Sequence, residues 1–232
     1  MAKIVWDATG ERFYETGVSK GVLYVQKKDG TYENGVAWNG LTSVSENPDG
    51  AEPNDLYADN IKYATLISAE TFGATIEAYT FPEEFAICDG SYTPSGAAGV
   101  YVGQQPRRPF GFCYRTEIGN DASTGADAGY KLHIIYNATA SPSDKGYETI
   151  NDSPDAITLS WEVTTTPVDV GIEGVKPTAT IVIDSTKLDN AIKDNLTVLE
   201  GILYGTDGNN STEPTLPTPA QVINVIKTGS LL

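Results

Sequence analysis

Residues 157–168 read ITLSWEVTTTPV, and this stretch points to the fold class. In an extended chain, successive side chains point to opposite faces, so the residues divide into two sets. One set is apolar: Ile157, Leu159, Trp161 and Val163. The other set is polar: Thr158, Ser160, Glu162 and Thr164. The apolar face requires a core, whereas the polar face must look at bulk water, a substrate or something larger.

Four other segments have the composition and alternation of β-strands. They are residues 21–29, 73–81, 130–138 and 177–187. Between the strands lie turn-rich stretches such as DGTYENG at 29–35 and CDGSYTPSG at 88–96. Such turns favour hairpin connections, so the sequence predicts a mainly β protein with antiparallel strands.

Two segments have helical features. Residues 188–205 place leucines and isoleucines close to one helical face and end at Gly205, which indicates one helix packed on the outside of a sheet. Residues 82–90, which start with Pro82, predict one or two helical turns. Residues 206–232 form a Pro-rich C-terminal arm with a short apolar segment that docks on another surface. We expect residues 1–232 to form one domain.

Residues 40–60 form a long acidic connection with no strand or helix predicted in it. Loops longer than about 12–15 residues are uncommon in compact domains and are usually functional or disordered. Two readings remain open for this loop. It is either a solvated excursion or an arm that reaches a neighbouring subunit.

The chain has 31 acidic and 15 basic residues, which gives a formal net charge of −16. Lys62 is the only base between residues 41 and 100. This composition argues against ordinary nucleic-acid binding, which needs a basic surface. Solubility is the simple account of the acidity. The sequence shows neither a signal-peptide pattern nor an apolar run long enough to span a bilayer, so we expect no membrane insertion.

The residue types needed for common catalytic sites are scarce. His133 is the only histidine, and its strand-forming neighbours favour a hydrogen-bonded structural role over catalysis. Cys88 and Cys113 sit among apolar residues, which favours free buried thiols over a disulfide. One histidine and two separated cysteines do not make a zinc site. We therefore expect no enzyme activity, no bound metal and no cofactor.

Two long segments carry a family resemblance: YADNIKYATLISAETFGAT at 57–75 and NDSPDAITLSWEVTTTPV at 151–168. Together with KPTATIVIDSTKLD at 176–189, they resemble the major tail protein, or tail tube protein, of long-tailed siphophages and prophages of Gram-positive bacteria. The resemblance covers roughly residues 36–207. It implies two packed antiparallel β-sheets, in a tail-tube-type sandwich or barrel, flanked by one α-helix.

The resemblance also implies what the protein does. Copies of the chain would form hexameric rings that stack into a tube around the tape measure protein, with tail terminator and distal tail proteins at the tube ends. DNA would pass through this tube into the host without specific binding. The protein would be made in the host cytoplasm and end in the virion. The family has no catalytic residues to carry over.

The resemblance also implies roles for particular residues. An acidic inner wall would repel DNA over the short distance that screening by salt allows. The candidates for lumen-facing residues are Glu77, Thr158, Ser160, Glu162 and Asp184. For each of them the alternative is a position on the outer surface or at a subunit interface. Contacts between subunits are expected at acids of the 40–60 connection, namely Glu46, Asp49, Glu52 and Asp55. For Arg107 and Arg108 two alternatives stay open: a solvated turn, or ion pairs with acids of another subunit.

Two other classes of function compete with the tail tube. The first is a binding module, an acidic β-sandwich that uses exposed aromatic residues to recognise glycans or a host surface. A hydrolase with paired carboxylates is the third reading and ranks last, because any acidic β protein offers such pairs by chance.

Overall fold

The computed structural model describes residues 3–122, 128–143, 145–150, 155–208 and 211–231. Most of the regular structure is β-strand. The strands are β1 (Phe13–Val25), β2 (Val36–Trp38), β3 (Leu41–Glu46), β4 (Pro53–Ala58), β5 (Ile61–Ile67), β6 (Gly73–Ala78), β7 (Phe110–Asn120), β8 (Gly129–Ala140), β9 (Leu159–Thr165) and β10 (Thr180–Asp184). The helices are a 3₁₀ helix (Glu83–Ile87), α1 (Lys193–Tyr204) and α2 (Pro219–Thr228).

Eight strands form one antiparallel sheet in the order β2-β1-β7-β8-β9-β6-β3, and β10 also pairs with β8. β8 is the branch point. Its residues 131–135 pair with β10, whereas residues 138–140 pair with β9 on the same side of the strand. Asn137 lies between the two pairings and has φ +48°, a left-handed conformation that Asn tolerates better than most residues. The sheet therefore divides at Asn137.

The two parts of the divided sheet pack face to face. Trp161 of β9 is fully buried, and its ring centroid lies 5.5 Å from that of Trp38 and 5.3 Å from that of Phe85. The ring centroid of Phe112, on β7, also lies 5.5 Å from that of Trp38. One aromatic core therefore joins β1, β7 and β8 to β9 and β6, as the predicted packing of antiparallel sheets requires.

A second core lies on the other face of β1, β7 and β8. Leu199 and Leu203 of α1 are fully buried against this face, together with Val225 of α2. The Tyr24 hydroxyl donates a 2.7 Å hydrogen bond to the carbonyl oxygen of Leu203, which ties the end of α1 to β1. α1 packs on the outside of the sheet, as predicted.

The mainly β, antiparallel prediction is confirmed, and each of the five predicted segments contains a strand. The 3₁₀ helix also falls within the predicted 82–90. β7 has no predicted counterpart. Its first five residues are all buried, so the alternation that reveals a half-exposed strand is missing.

Two predictions about the flanking segments are wrong. The apolar segment within 206–232 docks on the second core, as predicted, but it is a helix: α2 begins at Pro219 with a capping box between Thr218 and Gln221. Two helices therefore flank the sheet, not one. α1 begins at Lys193, five residues later than the predicted start at 188, because 188–192 form turns.

The prediction of an irregular loop at 40–60 is also wrong. This region contains β3 and β4, and β4 continues through a turn into β5. Asp59 and Asn60 form the two-residue turn, with φ +51° and +62°. Two positive φ values are typical of the type I′ turns that match the twist of a hairpin. The connection therefore contains one strand of the main sheet, β3, followed by the first half of a β-hairpin.

Candidate assembly surfaces

One outer surface of the β3–β6–β9 part of the sheet is polar. We call it the polar face, formed by Ser43, Ser45, Thr75, Glu77, Ser160 and Glu162. Strand register places Glu162 opposite Thr75, and Ser160 opposite Glu77. The Ser43 hydroxyl donates a 2.8 Å hydrogen bond to Glu77. The intervening residues Ile76 and Trp161 are buried, so period-two alternation separates this face from the aromatic core.

The polar face is acidic and lacks compensating cations. Within the part of the chain that the structure describes, no Lys, Arg or His nitrogen lies within 4.0 Å of the Glu77 or Glu162 carboxylate. Glu162 is exposed and Glu77 is half-buried. Three of the predicted lumen residues, Glu77, Ser160 and Glu162, thus lie together on one surface.

The other two lumen candidates lie elsewhere. Thr158 is exposed and precedes β9, so it is not part of the paired strand. Asp184 ends β10 on the other branch of the sheet, and its carboxylate accepts hydrogen bonds from the backbone N–H and hydroxyl of Thr186 at 2.8 and 2.6 Å. Partial burial works in the opposite direction, yet these bonds bring the pKa of Asp184 below its usual value. Its environment is a turn rather than the polar face.

The second candidate surface is the hairpin arm, which we define as residues 47–72. Its strands β4 and β5 pair with each other and form a separate two-stranded sheet. A hydrogen bond from the Asn47 N–H to the Gly73 carbonyl, at 2.8 Å, and a bridge between Asp49 and Thr71 join its two ends at the root.

The two faces of the hairpin arm differ in chemistry. One face has an ion pair between Lys62 and Asp55 at 2.7 Å, and Thr65 donates to the same carboxylate. The opposite face carries five apolar residues, which we call the apolar arm face: Leu56, Ala58, Ile61, Ala64 and Leu66. Asn54 lies on the same side, opposite Leu66. Their cross-strand pairing places Leu56 opposite Ala64, and Ala58 opposite Ile61. The residues of the apolar arm face therefore lie side by side.

The apolar arm face is exposed in the single chain. Leu56 is 41% exposed, Leu66 is 55% exposed and Ile61 is 64% exposed. A two-stranded hairpin is at best marginally stable alone in water, and a contiguous exposed apolar surface usually marks an interaction site. The apolar arm face is therefore a candidate interaction surface.

The predicted inter-subunit acids follow the hairpin arm from its root. Glu46, the last residue of β3, turns inward and contacts Tyr114 and His133. Asp49 and Glu52 lie beyond it, and Asp55 forms the ion pair with Lys62. The structure thus places all four acids at the root of the arm or on its first strand. Their contact with another subunit stays a prediction.

Arg107 and Arg108 find acidic partners in their own chain. Arg107 donates a 3.1 Å hydrogen bond to the carbonyl oxygen of Ala140 and lies 3.6 Å from Asp89. Arg108 pairs with Glu33 at 3.2 Å. These contacts fix the turn before β7 against the body of the protein. A role between subunits stays a prediction for both arginines.

Sequence reasoning missed the apolar arm face, although a signal was present. Asp and Asn adopt positive φ more readily than most residues, so Asp59–Asn60 is compatible with a two-residue hairpin turn when strand-forming residues flank it. Residues 61–67, IKYATLI, supply such a flank. The charges of the 40–60 region had suggested a solvated loop, and this obscured the hairpin.

Several chains of solved structures match this chain, and the one described below is a distant neighbour. No protein-family model and no curated protein matches the chain. A chain from the PVC sheath-tube complex, an extracellular contractile injection system solved in its extended state by cryo-EM, is 13% identical. The match covers 77% of this chain and 93% of that chain, with a TM-score of 0.30. A structural similarity this weak supports no conclusion about this chain.

No helix in the described ranges combines the length and the hydropathy needed to cross a membrane.

Substituting Arg107 tests its role within the chain. Arg107→Met keeps the length of the aliphatic stem but removes the donor to Ala140 and one cationic partner of the buried Asp89. We expect the free energy of unfolding to fall by about 1–3 kcal/mol, measured by chemical denaturation. The matched control Lys28→Met removes an exposed cation and should change it by less than about 0.5 kcal/mol. Equal effects in the two variants would contradict the structural role.

Proposed function

We propose that this chain is a tail tube subunit that assembles with copies of itself. In this proposal the subunits form rings, hexameric as in the family it resembles, and the rings stack into the tail tube of a siphophage. The tube surrounds the tape measure protein, meets tail terminator and distal tail proteins at its ends, and conducts DNA into the host. The subunit is made in the host cytoplasm, ends in the virion and has no catalytic role.

The apolar arm face is the observation that carries this proposal. Its side chains belong to a hairpin that pairs with no other strand of the described chain, so the arm is available to a neighbour. Burying apolar surface yields about 25 cal/mol per Å², and a second copy that covers Leu56, Ile61 and Leu66 would gain this free energy. The covered arm would also gain the order that a lone hairpin lacks.

The edges of the eight-stranded sheet support self-assembly in a second way. β2 and β3 are the end strands, and β10 pairs only with β8 in the part of the chain that the structure describes. Exposed edges carry unpaired backbone donors and acceptors that can accept another strand. Different edges that meet between copies make a heterologous contact, and such contacts close into a ring when the rotation allows.

The polar face fits the inner wall of such a tube. Glu77 and Glu162 lack a cationic partner among the described residues, so the surface repels a polyanion. Screening limits this repulsion to about 8–10 Å at ordinary ionic strength. DNA would therefore be kept from adhering to the wall while it passes. This is the answer that we propose for the polar side of ITLSWEVTTTPV.

Charges on the apolar arm face should prevent assembly. The double variant Leu56→Asp and Leu66→Asp places two carboxylates where the proposal requires a dry contact, and burying an unpaired charge is costly. We expect soluble subunits that sediment as single chains at concentrations where the parent protein forms rings or tubes. Sedimentation velocity measures this difference.

The control adds charge to the opposite side of the same hairpin. Tyr57→Asp places a carboxylate opposite Lys62, on the side of the arm that carries the ion pair, and should assemble like the parent protein. Assembly of the Leu56→Asp and Leu66→Asp variant at the parent's concentration would contradict the role of the apolar arm face.

Thiol labelling tests the position of the polar face. In Glu162→Cys the new thiol is exposed, whereas Cys88 and Cys113 are fully buried and burial raises the pKa of each to about 12, so neither native thiol should react. We expect assembled tubes to react with a small maleimide but to resist a polyethylene glycol maleimide too large to enter the lumen. Unassembled subunits of the same variant should react with both reagents. Equal reaction of assembled tubes with both reagents would place Glu162 outside the lumen.

A further inference from the structure

His133 lies at the root of the hairpin arm, where four strands meet. It is the only histidine of the chain and is 7% exposed. Its ring stacks on Tyr114 of β7, with centroids 4.5 Å apart and planes 9° from parallel. This stacking fixes the direction in which the ring nitrogens point.

The carboxylate of Glu46, on β3, contacts both of these side chains. It accepts a 2.8 Å hydrogen bond from the Tyr114 hydroxyl and lies 3.2 Å from Nδ1 of His133. The contact spans 87 positions of sequence. Because Glu46 is the last residue before the hairpin arm, these two contacts attach the root of the arm to the facing strands.

The other ring nitrogen of His133 faces a second carboxylate. Nε2 lies 3.0 Å from the Thr116 hydroxyl oxygen and 3.6 Å from Glu15 Oε1. The Thr116 hydroxyl donates to Glu15, at 2.5 Å, and Lys131 forms an ion pair with the same carboxylate. The imidazole therefore lies between Glu15 of β1 and Glu46 of β3.

When the His133 ring is neutral, one hydrogen bond of this arrangement lacks a hydrogen. A neutral imidazole has one N–H, and Glu46 requires it on Nδ1. Nε2 then needs a hydrogen from Thr116, but the single hydroxyl hydrogen of Thr116 is also the donor to Glu15. An imidazolium removes the conflict, because Nδ1–H donates to Glu46 and Nε2–H donates to Thr116, which still donates to Glu15.

We propose that His133 is a proton-dependent anchor for the hairpin arm. When the ring carries both hydrogens, it holds Glu46 more tightly and fixes the arm root against β7 and β8. A role of this anchor in controlling the position of the arm during assembly rests on the proposed function. The attachment itself is a property of the single chain.

The surrounding groups determine when the proton binds. Burial lowers the pKa of His133 below its usual 6.5, and Lys131 acts in the same direction, whereas Glu46 and Glu15 raise it. Tyr114 faces the ring without charge, since burial and Glu46 raise its own pKa. On the neighbouring strand β10, Val182 pairs with His133, and Asp184 is the acidic residue of that strand. The ring is therefore mainly neutral at pH 7 and gains its proton only as the pH falls below 6.5.

Two linkage effects of this proton have opposite signs. Relative to the unfolded chain, the lowered pKa means that the stability from neutral, buried His133 is present above pH 6.5 and is lost as the pH falls through the folded-state pKa. Relative to a folded chain whose arm root has come loose, Glu46 raises the pKa of His133. Protonation and attachment of Glu46 therefore favour each other, because such coupling is reciprocal.

Nuclear magnetic resonance of the untagged, unassembled protein tests the anchor, since only one imidazole titrates. We expect Glu46→Gln to lower the pKa of His133 by about 0.5 or more, because the nearby negative charge is lost. The control Glu52→Gln removes an acid from the arm itself and should leave the titration unchanged. An unchanged His133 pKa in Glu46→Gln would overturn the proposal.

Hydrogen exchange of the arm, corrected for the intrinsic effect of pH, supplies a second readout. We expect amides of residues 47–72 near the root to be better protected at pH 5.5 than at pH 7.5, by up to about threefold, the limit that a pKa difference of about 0.5 sets when the ring is fully protonated. Glu46→Gln should abolish this pH effect. Tyr114→Phe should weaken protection at both pH values but keep the effect.

A pH effect on arm exchange that persists in Glu46→Gln would also overturn the anchor. Both measurements use single subunits and do not depend on tube formation. Failure of the protein to form tubes would therefore contradict the proposed function while leaving these two readouts to decide on the anchor.

Discussion

The branching of β8 is the constraint on which the rest of the structure depends. One side of this strand pairs with β7, while the other side is shared between β10 and β9, with Asn137 at the division. The β9–β6–β3 part can then fold back over β1, β7 and β8 and enclose the aromatic core. The outer face of β1, β7 and β8 stays available for the two helices. One sheet thus builds two cores.

The body and the hairpin arm have contrasting energetics. The body buries Trp38, Trp161 and three phenylalanines in the first core, and the leucines of α1 in the second. The arm leaves the body between β3 and β6 and keeps its apolar side chains in water. In a self-assembling subunit this division is expected, because a stable body keeps the unassembled chain soluble while an incomplete arm favours association. The polar face is a third feature of the subunit, an acidic surface that neither the cores nor the hairpin arm cover.

The sequence predicts the parts of the fold whose signals are local. Period-two alternation located β9 because Trp161 and Val163 face a core while Glu162 faces outward. The same reasoning missed β7, which is buried on both faces at its start and so shows no alternation. It also missed α2, whose capping signal at Thr218 follows a Pro-rich stretch. On the candidate surfaces, alternation correctly grouped Ser160 and Glu162 but gave no means to separate Asp184, because strand order is not a local property.

The contacts between Glu46, Tyr114 and His133 show a further limit. Each residue lies on a different strand, and no local pattern links positions that are 87 residues apart. The acids of the arm were recognised by their charge, whereas the apolar residues among them carry the stronger physical argument. A surface is defined by the register of paired strands, and register becomes visible only when both strands are in place.

The central claim is that the apolar arm face is covered by a second copy of this chain. Cryo-electron microscopy of the concentrated protein tests it most directly. The account predicts rings or tubes in which Leu56, Ile61 and Leu66 lie buried against a neighbouring subunit. Single subunits at every concentration, or assemblies in which these side chains remain in solvent, would contradict it.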